Sequence, residues 1–171
     1  ASAGGLEALQ QFLTFLPSNT GMAFVIIQHL APDHKSLLTE ILGKYTNMKV
    51  VEIEDGMKLE KNHVYMIPPR FDVEVQGDLL RLHEYNTQLI NHPIDIFFRS
   101  MAFSFGNRSV AVILSGTGSD GTNGIRFIKD QNGMIIVQSP ESAKFDGMPR
   151  NAIATGFADL VQNPESIARE M

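Results

Sequence analysis

"SVAVILSGTGSDGTNGIRFIKDQNGMIIVQ", residues 109–138, reads as strand, glycine loop, helix, strand. The apolar run at 109–114 is short and continuous, as in a strand covered on both faces. "GTNGIRFIKDQ" (121–131) reads as a helix, and "MIIVQ" (134–138) as a second buried strand. The same alternation extends outward. "GGLEALQQFLTFLP" spaces Leu6, Leu9, Phe12, Leu13 and Leu16 as one helix face, and Pro17 ends it. "MAFVIIQHL" (22–30) is a strand, and "HKSLLTEILGKY" (34–45) a helix that Asp33 can cap. "KVVEI" (49–53) and "HVYMI" (63–67) are strands, and 71–84 is a hairpin turning at "QGD". Pro93 suits the first turn of a helix over 94–105. "PRNAIAT" (149–155) is a helix stopped by Gly156, and a last helix covers 164–171. This pattern predicts an α/β fold: a doubly wound, mainly parallel sheet with helices on both faces and an inserted β-hairpin. No repeat, low-complexity tract or linker divides the chain, so residues 1–171 are read as one domain.

Composition narrows the function classes. Hydrophobic residues make up 43% and charged residues 19%, ordinary for a globular domain. The net charge of -5, with both signs mixed along the chain, argues against nucleic acid as the main partner. There is no cysteine, which excludes disulfides and thiolate metal sites and favours an intracellular, cytoplasmic setting. No apolar run approaches the roughly 18 residues of a membrane span, so no direct membrane insertion is expected.

Gly116-Thr117-Gly118-Ser119-Asp120-Gly121 matches G-x-G-x-x-G, the dinucleotide fingerprint. Asp120 argues against that reading, because a carboxylate at a helix N-terminus competes with a phosphate for the same N–H groups. The next strand closes on Gln138 and Ser139, without the acid that would bind ribose, and Glu141 lies past Pro140. Asp120 is then either an N-cap or a functional carboxylate. Ser2 stands on a tight "SAGG" turn entering a helix, where a hydroxyl can be exposed, though it too could be an N-cap. His29 stands where a buried strand runs out. All three fall at one edge of a parallel sheet, where reactions in open α/β sheets gather. A serine, a histidine and an aspartate converging there form a nucleophile, a base and an orienting carboxylate. His34, His63, His83 and His92 show no mutual metal-ligand spacing and are read as structural or surface residues. No metal and no cofactor is expected.

At these residues the sequence resembles the catalytic domain of the chemotaxis protein-glutamate methylesterases. The similarity runs over nearly the whole chain, through "SAGG", "QHL", "NHVYMIPP", "HPIDIFFRSMA", "GTGSDG" and "FDGMPRNAI". The resemblance implies metal-free serine hydrolysis of glutamate γ-methyl esters on bacterial chemoreceptor helices, releasing methanol, with deamidation of receptor glutamine in related members. A catalytically silent receptor- or regulator-binding domain of the same fold is the alternative. The resemblance further implies that Ser2 is the nucleophile, His29 the base and Asp120 the third triad member. The backbone N–H groups of Ala3 and Thr117 become oxyanion donors; many relatives have Met where Thr117 stands, a change that a backbone role tolerates. Gly116, Gly118, Met148 and Pro149 become substrate-loop candidates. The pattern is most similar to domains heading fused methylesterase–methyltransferase proteins, so a receiver or methyltransferase domain is expected on the same full-length chain. The family also has a strand ending in glycine immediately before Ala1, which these 171 residues do not contain.

Overall fold

A computed structural model of the chain describes residues 1–2, 4–28, 37–84 and 92–171. Eight strands and six α-helices lie in these residues. In chain order they are α1 (Gly5–Phe15), β1 (Ala23–Ile26), α2 (Leu38–Leu42), β2 (Lys49–Glu52), β3 (His63–Met66), β4 (Phe71–Gln76), β5 (Leu79–Glu84), α3 (Pro93–Phe105), β6 (Val110–Ile113), α4 (Gly124–Asp130), β7 (Met134–Gln138), α5 (Gly147–Ala154), β8 (Leu160–Gln162) and α6 (Pro164–Arg169). Part of the helix expected over 34–45 and the strand end carrying His29 lie outside the described residues.

Sequence explains the element ends. α1 stops at Leu16, whose extended backbone (ψ 122) is what a following proline requires. α3 begins with Pro93, whose fixed φ and missing N–H cost nothing in a first turn. β4 and β5 pair antiparallel, with Gln76 opposite Leu79, so the hairpin turns on Gly77 and Asp78.

β1, β3 and β2 form one parallel three-stranded sheet, in the order β1-β3-β2, and β6, β7 and β8 form another. β1 and β6 are not paired with each other. A cavity of ≈ 590 Å³ lies between them, lined by both strands and by apolar side chains of α1 and α3. β8 is an element that the sequence reading missed.

Helices cover both faces, as alternation along the strands requires. Ile135 and Val137 of β7 face a core layer containing Phe97 and Phe98 of α3, Ile125 and Ile128 of α4, Ala152 of α5, and the hairpin's Val73 and Leu80. Ile136 faces the opposite layer, with Leu9 and Leu13 of α1, Leu42 of α2 and Ile167 of α6. β3 divides likewise, with Tyr65 in the first layer and Val64 and Met66 in the second. Every parallel strand therefore runs towards one edge, where its following loop must carry any chemistry.

Candidate active site

Ser2 stands on a turn held from both half-sheets. The Ala1 amine donates to Ile27 O just past β1 (3.0 Å). Ser2 N donates to Ser115 O just past β6 (3.1 Å). Ser2 O accepts from Gly5 N (2.8 Å) and from Gln28 Nε2 (3.0 Å). With its backbone bound on every side, the half-buried serine has little freedom except at its side chain. Gly4 then turns the chain into α1 with φ 69. A β-carbon there would stand 2.8 Å from Ser115 Oγ and 2.9 Å from Lys144 Cβ, so the turn needs glycine for both backbone and space.

The loop after β6 supplies the opposite wall. Ser115 and Gly116 are buried, whereas Thr117 and Gly118 are exposed. A β-carbon on Gly116 would come within 2.8 Å of Ser2 Cβ and would also collide with the Met148 sulfur. Gly116 therefore lets the loop lie directly against the serine. Gln138, 1% exposed, accepts from Ser115 N (2.8 Å) and donates to Ser142 O (3.0 Å). The residue that failed as a ribose-binding acid is thus a brace between two loops. Met148 N donates to Gly116 O (2.9 Å), and Asn151 Nδ2 to Gly118 O (2.7 Å). Among the substrate-loop candidates, Gly118 faces outward, while Met148 and Pro149 are buried behind Gly116 at the start of α5.

Asp120 is 7% exposed, and its two oxygens take the backbone N–H groups of Ile94 (Oδ2, 3.1 Å) and Asp95 (Oδ1, 3.0 Å). These are orphan donors of α3. Asp120 is therefore a cap, but of α3 and not of the helix that follows it. α4 is capped by Asp95, whose Oδ1 accepts from Gly124 N at 2.6 Å. The first turns of two helices thus exchange carboxylates. The positive end of α3 favours an ionised Asp120 despite its burial. Its charge is felt nearby. The Ala1 amine is lowered to about 5 by burial, against the pull of the Asp120 carboxylate. The Asp95 carboxyl is pushed up, chiefly by burial and further by Asp120, with the Gly124 N–H opposing. The Asp72 carboxyl, on β4, is pushed up by burial and then by Asp120.

His29 and Ala3 lie outside the described residues. Gln28, the neighbour of His29 in sequence, is bonded to Ser2, so the chain is described up to the residue before the expected base. The structure also brings His92, read as structural or surface, to within 3.9 Å of Asp120 (Nδ1 to Oδ1), with its side chain 47% exposed. Ser100 spends its hydroxyl within the fold, accepting from Val75 N (3.0 Å) and donating to Phe97 O (2.9 Å). Sequence reasoning missed Asp95. Its signal was an acid in the first turn of a proline-initiated helix, which commonly means no more than a favourable helix dipole.

Among the described residues, His92, Asp95 and Asp120 offer one ligand atom each within 4.8 Å. Both carboxylates already accept backbone donors there. The α4 N–H that a dinucleotide phosphate would use is taken by Asp95. Among the described residues no helix is long and apolar enough to cross a membrane.

The arrangement suits acyl chemistry. A serine lies on a constrained turn, a glycine loop touches it, and a buried carboxylate is held by backbone donors nearby. Comparison with known proteins agrees. A sequence profile described as CheB methylesterase matches residues 1–171. An uncharacterised 104.1 kDa protein of Rhodobacter capsulatus is 47% identical over 130 residues, which is 76% of this chain and 14% of that protein. A putative protein-glutamate methylesterase/protein-glutamine glutaminase of Leptospira interrogans is 32% identical over 98% of this chain and 88% of its own length. A Moorella thermoacetica protein-glutamate methylesterase/protein-glutamine glutaminase is 36% identical, again over 98% of this chain but over 41% of its own length. The crystal structure of the Thermotoga maritima CheB methylesterase catalytic domain superposes with a TM-score of 0.90 at 29% identity, covering 99% of this chain and 92% of that one. The chain thus spans less than half of two of these relatives, whose lengths leave room for further domains.

Proposed function

Since this chain belongs to the CheB methylesterase family, we propose that it hydrolyses glutamate γ-methyl esters on the cytoplasmic helices of chemoreceptors, with Ser2 as nucleophile, His29 as base and Asp120 as orienting carboxylate. The observation that carries the reading is the Ser2 turn, bonded to Ser115 O and Gln28 Nε2 and touching Gly116. It ties the serine to the loop carrying Asp120 and to the residue before His29.

His29 takes the hydroxyl proton as Ser2 Oγ attacks the ester carbonyl. The tetrahedral oxyanion is held by the backbone N–H groups of Ala3 and Thr117. On its collapse, the protonated His29 delivers its proton to the departing methoxide, and methanol leaves. A water, activated by His29, releases the acyl-enzyme as the free glutamate. Asp120 stays ionised, fixes the imidazole tautomer and stabilises the imidazolium. No step calls for a metal or an organic cofactor. A glutamine side chain can enter the same sequence, with ammonia leaving. The setting is cytoplasmic, and a receiver or methyltransferase domain shares the full-length chain.

The segment preceding Ala1 in that longer chain is read as a strand between β1 and β6. It is supported by the apolar cavity lined by β1 and β6, two strands that are not paired with each other.

The test is methanol release from a methylated receptor fragment by the full-length protein. Ser2→Ala is expected to lose it with an unchanged melting curve. Equal release by both proteins refutes the serine mechanism. Binding of the fragment with no release by the unaltered protein identifies a silent binding domain instead.

A further inference from the structure

Phe145 is an exposed aromatic beside Gly4, with 42% of its surface in solvent. Three backbone hydrogen bonds fix it. Its N–H donates to Ser115 Oγ (3.0 Å), and its carbonyl accepts from Gly116 N (2.9 Å) and Ser115 Oγ (3.2 Å). The ring lies against Gly4, where a β-carbon would be 3.0 Å from Phe145 Cδ2. Gly4 is two residues after Ser2, and Gly116 touches Ser2 Cβ. The ring therefore borders the turn that carries Ser2, on a backbone bonded to the Gly116 loop. A ring so anchored offers an apolar face to a bound side chain.

Resting on the proposed function, we propose that Phe145 is the specificity-determining residue that reads the methyl group, distinguishing the neutral ester side chain from the carboxylate that hydrolysis leaves behind. An ester methyl laid on the ring leaves water, and one such group is worth about fourfold in affinity. A carboxylate in the same place would lose hydration beside an apolar face that offers it no donor. Together these give a preference on the order of tenfold for ester over acid. The surroundings reinforce it, because the neighbouring cations are already paired, Lys144 with Glu7 at 3.9 Å and Arg150 with Asp146 at 2.6 Å. The product is thereby released and does not compete with fresh substrate.

The experiment uses the full-length protein carrying Ser2→Ala, so that nothing is turned over. Its affinity is measured for two synthetic receptor helices, one bearing glutamate γ-methyl ester and the other glutamate. The Ser2→Ala protein is expected to prefer the ester about tenfold. Adding Phe145→Ala is expected to weaken the ester by about fourfold and to strengthen the acid by about twofold to threefold, bringing the ratio to within about twofold of unity. Phe145→Leu, still apolar, is expected to keep most of the preference. Backbone bonds to Ser115 and Gly116 survive all of these changes, so a purely supporting role would weaken both helices alike. A ratio unchanged in Phe145→Ala, or an equal loss for both helices, overturns the proposal. If the Ser2→Ala protein binds neither helix and the unaltered protein releases no methanol, the receptor-esterase reading itself has failed.

Discussion

Replacing Asp120 by asparagine changes one atom's chemistry and tests both roles of that residue. The carboxylate accepts from Ile94 N at 3.1 Å through one oxygen and from Asp95 N at 3.0 Å through the other. Asparagine keeps one acceptor and turns an NH2 group towards the second N–H. One bond to a charged acceptor is lost, worth about 1.5–3 kcal/mol, and a buried donor is left unsatisfied. Loss of the charge at the start of α3 adds about 0.3–1 kcal/mol. Relief of repulsion with Asp95 and Asp72 offsets part of this, since Asp120 pushes both of their carboxyl pKa values up. The net destabilisation is about 2–3 kcal/mol, or a fall in Tm of roughly 4–12 °C for a domain of this size. If Asp120 also orients His29, the amide stabilises the wrong tautomer, and the rate falls by up to about 10⁴-fold. Urea unfolding read by circular dichroism gives the first quantity, and methanol release at saturating receptor fragment gives the second. An N-cap of the helix after Asp120 would tolerate asparagine almost without cost. A stability change below about 0.5 kcal/mol would refute the cap across to α3. An unchanged rate would remove Asp120 from the chemistry.

His29→Ala is expected to lower kcat by at least about 10³-fold, whereas His92→Gln, which removes only a half-exposed ring 3.9 Å from Asp120, is expected to change it less than about fivefold. Parallel pH–rate profiles of the two variants check this, and the reverse order would make His92 the base. A pH effect on stability is also expected for the 171-residue chain with a free amine. Burial lowers the Ala1 amine from its ordinary 8.0 to about 5 in the folded chain, so between these limits the unfolded chain binds a proton that the folded chain does not. Stability is then fully present above about pH 8 and falls as the pH drops towards 5, by up to about 4 kcal/mol. Urea midpoints at pH 5, 6.5 and 8, with and without N-terminal acetylation, check the slope, which acetylation abolishes.

Much of the fold is written locally. Pro17 and Pro93 mark helix ends by steric rules acting over one or two residues, and Gly77 marks the hairpin turn. The 109–138 unit reads directly as β6, α4 and β7 because its apolar runs are buried on both faces. β8 does not, since it is three residues long and ordered largely by pairing with β7. Nor was the exchange of caps legible, because Asp95 and Gly124 meet only once α3 and α4 have packed. Ser2 and Asp120 were singled out by turn chemistry and their place at the sheet edge, and Gly116 only through the family resemblance. Phe145 was not, because an exposed aromatic looks the same in sequence as a buried one.

The Ser2 turn is hydrogen-bonded to the end of β1 on one side and to the end of β6 on the other. Neither half can form it alone. The contact with Ser115 closes a loop of on the order of a hundred residues, an ordering cost that is met only after each half has gained its local structure. The Ser2 turn is therefore among the last features to assemble and among the first to loosen. Hydrogen exchange should find the Ser2 and Gly5 amides opening well before those of β3 or β7. Enzyme activity in mild urea should fade while the circular dichroism of both half-sheets is still intact, which makes turnover a sensitive gauge of whether the halves are docked.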